Sequence, residues 1–157
     1  MTAFKYWKKN NNVQEDVVEQ KQIRTLAEWQ EIYFGIQELM QESIPTKEAY
    51  WLARNADKVE SAVKPLDKLR LKMLEEMADK DEDGKPIMLD VPGMQGRQFQ
   101  LKENWAAFQA AWEDVVNQEE EVEIRLLSMN KIMEKLETIK PAILKMVLPI
   151  LEKEGEL

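Results

Sequence analysis

The 157-residue chain contains neither cysteine nor histidine. Without thiols there is no disulfide and no thiolate metal site. Without imidazole, a zinc site of the usual kind, a Ser-His or Cys-His nucleophile and an imidazole general base are all missing. Glycine is scarce, at five positions, and no two of them sit in a phosphate-loop pattern. No apolar run approaches the roughly 18 residues that would span a bilayer as a helix. The opening MTAFKYWKKNNN has lysines but no apolar core behind them, unlike a secretory signal. Ser43, Ser61 and Ser128 lie in no nucleophile-elbow motif. These absences point away from an enzyme.

What is plentiful is charge. The chain has 22 basic and 30 acidic residues and a net charge of −8. Lys5, Lys8 and Lys9 are the only charged residues among 1–12, which leaves −11 for residues 13–157. Such a body repels nucleic-acid phosphates, so general nucleic-acid binding is disfavoured. Residues 1–20 read as a disordered, basic and aromatic tail, with Phe4 and Trp7 as candidate contacts for a partner. The remainder, 21–157, reads as one helical domain, since neither a repeat nor a second domain is visible.

The expected fold is mainly α with minor β. A first helix is predicted from about Ile23 to Glu42, opened by the capping-box pair Thr25 and Glu28 and ended by Ser43-Ile44-Pro45. Thr46 then caps a long helix running to about Asp79. Its apolar residues Ala49, Leu52, Ala56, Val59, Val63 and Leu66 form a heptad seam, and Pro65 kinks it. A second seam at Trp105, Phe108, Trp112 and Val115 would cover Ala49, Ala53 and Ala56 in an antiparallel, coiled-coil-like hairpin. The segment between them favours a β-hairpin tip, with runs at 87–91 and 98–101. Residues 121–126 alternate as a strand. A short helix over 130–137 and a last one opened by Pro141 complete the pattern.

Two constellations carry candidate chemistry. Asp79, Asp81, Asp83 and Gly84 fit positions 1, 3, 5 and 6 of a calcium loop, with Asp90 at position 12 where a glutamate is usual. Pro86 and the break at Pro92-Gly93 depart from that loop. The competing reading is an acidic helix end running into an Asp-Gly turn, and no cofactor is then expected. The apolar strand residues Ile87, Leu89, Val122 and Ile124 are candidate partner contacts. Pairing of their strands across subunits would favour an assembly role, and closure within one chain an adaptor role.

Local wording supplies a resemblance. Ile44-Pro45-Thr46-Lys47 leads into Ala49-Tyr50-Trp51-Leu52-Ala53-Arg54-Asn55, and Asp81-Glu82-Asp83-Gly84-Lys85 follows. Glu120-Glu121-Val122-Glu123-Ile124-Arg125-Leu126 then precedes a closing helix near Ile143–Leu151. From Ile23 to Leu151 the chain resembles a family of small proteins of unknown function encoded by tailed phages and prophages. That resemblance implies a bacteriophage protein in the host cytoplasm, or one associated with the virion, and transfers no activity. A helical hairpin tipped by strands is also similar in architecture to prefoldin-type chaperone subunits. The expected function is protein binding without catalysis, through a phage or host protein and as a homo-oligomer. One version is assembly or chaperone-like; the other is a host-directed inhibitor or adaptor, including an acidic DNA mimic.

Overall fold

Thr25 and Glu28 close the predicted capping box. The Thr25 hydroxyl accepts from Glu28 N at 3.2 Å, and the Glu28 carboxylate accepts from Thr25 N at 3.3 Å. This opens helix α1, Leu26–Met40, which buries Trp29, Ile32, Gly35, Ile36 and Leu39. The chain is seen here in a computed structural model that describes residues 19–93, 96–134 and 139–152. It is mainly helical, with two small antiparallel sheets. The described residues fall into two compact units where one domain had been expected over 21–157. One unit is drawn from Met1–Ala62 and Glu119–Leu157, the other from Val63–Gln118.

The first unit holds an unexpected strand. β1, Glu19–Thr25, pairs antiparallel with β4, Glu119–Arg125. The helix start near Ile23 is thus corrected: Glu19–Thr25 is a strand, and the helix begins at Leu26. The register explains why a polar segment pairs. Glu19 faces Arg125, Lys21 faces Glu123 and Arg24 faces Glu120, so opposite charges meet on three rungs. Gln22 is the one buried residue of β1, and its amide donates to the Pro149 carbonyl at 2.8 Å.

Helix α2, Thr46–Met77, runs unbroken through Pro65. Thr46 is its first residue and not its cap, since Ala49 N already donates to Pro45 O. Within the first unit Leu52, Asn55, Ala56 and Val59 are buried. Asn55 acts as an extra strand would: its amide donates to Arg125 O at 2.9 Å and accepts from Arg125 N at 3.0 Å. The Arg125 guanidinium lies 3.8 Å over the Trp51 ring. Ala53 and Ala56 share a hollow with Tyr33 and Met40 of α1. The unit closes with α4, Met129–Met133, α5, Pro141–Val147, and a 3-10 turn, Leu148–Ile150, that contains Pro149. Residues 135–138 of the predicted helix over 130–137 lie outside the described residues.

The second unit contains the rest of α2, the hairpin of β2, Met88–Asp90, with β3, Arg97–Phe99, and helix α3, Trp105–Val116. The buried seam of α2 stops at Leu66; Leu69 beyond it is 38% exposed. Phe108 is buried, stacks between Trp105 and Trp112 at 5.7 and 6.5 Å, and has Arg70 over its ring. Among the described helices, none is long and apolar enough to cross a membrane.

Candidate functional site

Acidic side chains at the tip serve the backbone first. The Asp79 carboxylate accepts from the Gln100 amide at 2.9 Å and from Lys102 N at 3.0 Å. The Gln100 amide, followed by the Lys102 and Glu103 N–H groups, holds the Asp79 carboxyl below its usual range. Asp81 closes a turn, accepting from the N–H groups of Asp83 and Lys85, each at 2.9 Å. Gly84 completes that turn at φ 78°, where a side chain would be strained. Asp90 pairs with Arg97 at 3.5 Å. Three of the four carboxylates of the calcium reading, Asp79, Asp81 and Asp90, therefore have separate jobs. Among the described residues no three acidic groups are gathered as a metal would require.

The same tip is tied into a small three-segment arrangement. Ile87 N donates to Asp79 O, Gln100 N to Ile87 O, and Asp79 N to Gln100 O, at 2.8 to 2.9 Å. Ile87 is consequently half-buried, whereas Leu89 is 43% exposed. Val122 and Ile124 correct the partner-contact reading. Both are buried on the inner face of β4, Ile124 completely, so no partner reaches them in this fold. Their alternation announced a half-buried strand without saying that this chain's own helices supply the cover. Phe4 and Trp7 lie outside the described residues.

What the tip does present is a groove of about 510 Å³ inside the second unit. Leu71 and Leu74 of α2, Met88 and Phe99 of the hairpin, and Trp105 of α3 form its apolar wall. Arg70 and Arg97 line it too, the Arg70 guanidinium lying over the Phe108 ring and that of Arg97 pairing with Asp90. Leu71 is 58% exposed and Trp105 46%. Met88 and Phe99 are partners across the β2–β3 register, which places their side chains together on one face of the hairpin. Apolar and aromatic walls with arginine among them are the composition of a binding hot spot. The groove is not readable from the sequence because it joins residues of α2, the hairpin and α3 that are distant in the chain. Leu71 was the available signal, an apolar residue beyond the heptad seam that ends at Leu66. No family model matches the chain, and neither does a curated protein or a solved structure.

Proposed function

We propose that the protein works without catalysis, by holding a segment of another protein in the groove of the second unit. The observation that carries this is the wall of exposed Leu71, Met88 and Trp105 with half-buried Phe99, lined also by Arg70 and Arg97. A segment offering an apolar or aromatic anchor beside a carboxylate fits both features. The anchor removes apolar surface from water, and the carboxylate meets a guanidinium in the bidentate geometry it favours. The absence of histidine and cysteine from the whole chain agrees with a binding role.

In the phage setting that the sequence resembles, two versions compete: an assembly or virion-associated role as a homo-oligomer, and a host-directed adaptor or inhibitor. Pairing of β2 with β3 and of β4 with β1 inside one chain supports the adaptor. The groove's arginines favour an acidic peptide ligand, which a DNA mimic would not need.

Selection of short random peptides on the full-length protein tests the reading. Enriched peptides should combine an apolar anchor with Asp or Glu, and Leu71→Asp or Arg97→Glu should weaken them at least about tenfold, or about 1.4 kcal/mol. Peptides without acids, or binding unmoved by both variants, would overturn it. Light scattering behind size exclusion then separates the versions, a discrete oligomer favouring assembly and a monomer the adaptor.

A further inference from the structure

Within the first unit, α1 and α2 leave a second hollow, of about 360 Å³, floored by Ala53 and Ala56 and bordered by Tyr33 and Met40. Met40 is 46% exposed there, although its position on the periodic face of α1 would suit a core residue. Asp57 and Glu60 stand on the rim, and neither takes part in the ion pairs found among the described residues. Their charge is felt locally. The Tyr33 phenol is pushed above its ordinary range by burial, then by Glu60 and Asp57. The hollow is therefore apolar at its floor and negative at its edge, the reverse in charge of the groove beside Arg70 and Arg97.

We infer that this hollow seats the chain's own N-terminal segment, with aromatic side chains from Phe4, Tyr6 and Trp7 over Ala53 and Ala56 and with Lys5, Lys8 and Lys9 facing Asp57 and Glu60. Three arguments converge on this occupant. Residues 1–12 carry three positive charges and no negative one, in a chain of net charge −8. Their aromatic residues alternate with those lysines, so apolar and cationic groups arrive together, as the floor and rim require. Reach is also sufficient. Eleven residues, 8–18, separate Trp7 from Glu19, the start of β1 in this same unit. They extend up to roughly 40 Å, against a radius of gyration near 13 Å for a domain of about 100 residues. Tethering keeps the segment at an effective concentration in the millimolar range, so weak contacts suffice. The arginine-lined groove of the second unit, by contrast, repels a cationic segment. Because the rim is exposed, the attraction is screened within about 8 Å at physiological ionic strength, and added salt should release the segment.

The missing cysteine makes the test clean. In the full-length chain, Thr2→Cys provides a unique site for a nitroxide label, and paramagnetic broadening of amide signals reports what lies near it. Broadening should centre on Met40, Ala53 and Ala56, fade in high salt, and vanish in Asp57→Lys/Glu60→Lys. The triple change Lys5→Glu/Lys8→Glu/Lys9→Glu, which leaves the hollow untouched, should abolish it as well and stands in if the rim variant fails to fold. Broadening centred elsewhere, spread evenly, or surviving both charge reversals would overturn the assignment. So would broadening confined to mixtures of labelled chain with a second, isotope-enriched copy, because the seat would then belong to a neighbouring molecule.

Discussion

The two units spend their apolar residues differently. All the largest fully buried side chains, among them Trp29, Ile36, Leu52, Ile124 and Ile150, lie in the first unit. The second buries only Val63, Leu66, Ala78 and Phe108 among its described apolar residues. It nevertheless leaves Leu69, Leu71, Met88, Leu89 and Trp105 more than a third exposed. The first unit also exposes apolar residues, such as Ile23 and Phe34, but beside a filled core they are ordinary surface. In the second unit the exposed set rivals the buried one and surrounds a groove. The difference separates a part that is organised to fold from a part that offers surface. The unit boundary at Ala62 and Val63 lies just before Pro65, where α2 lacks one backbone donor.

One substitution made twice tests that contrast most severely. Trp29 is fully buried, and its indole N–H donates to Glu120 O at 2.9 Å. Trp29→Ala should cost about 3–5 kcal/mol in urea denaturation. Trp105→Ala removes a half-exposed ring that stacks on Phe108. It should cost no more than about 1.5 kcal/mol while weakening peptides held in the groove. Equal losses would break the distinction between the units.

Gly35 sharpens it at a single atom. On helix propensity alone, Gly35→Ala should stabilise α1 by about 1 kcal/mol. A Cβ there, however, would lie 2.6 Å from the Met146 Cβ and 2.9 Å from a Val147 methyl. The Met146 Cβ is fixed to the backbone of α5 and cannot swing aside. Overpacking should therefore prevail, with a net loss of about 1–2 kcal/mol. A gain in thermal stability would show that α5 does not approach α1 so closely.

Much of this architecture is legible in local chemistry. Thr25 and Glu28 mark the start of α1, the 3-4-3 spacing from Trp105 marks α3, and alternation from Glu121 marks β4, because caps and periodicities are short-range properties. β1 was not legible. Its reasons to pair are charges about 100 residues away on β4 and the Pro149 carbonyl beside Gln22. The alanines of α2 announced a close approach without naming the neighbour; Ala53 and Ala56 border a hollow that Tyr33 and Met40 of α1 also line. At the tip, an Asp-rich turn satisfying its own N–H groups spells nearly the same sequence as an ion-binding loop. Only the direction of each carboxylate tells them apart. The groove was least legible of all, since it is made of residues that fail to be buried.

The smallest effect should come from Asp79, and it belongs to the second unit alone. Its carboxylate joins the end of α2 to the approach of α3 by accepting from Gln100, Lys102 and Glu103. These donors favour the ionised form and lower its pKa in the folded state. A depressed folded value means that the contribution is fully present above the unfolded pKa of about 3.9 and declines as pH falls through the folded one. Asp79→Ala should therefore speed hydrogen exchange at the Lys102 amide near neutral pH, with the difference from wild type narrowing progressively below about pH 4. Denaturation of the first unit should hardly respond, because no core residue there depends on this carboxylate. A pH-independent difference would mean that the N–H groups draw nothing from the charge. A collapse of the whole chain would mean that the thinly packed unit supports the other, and the division between folding part and surface part would have to be abandoned.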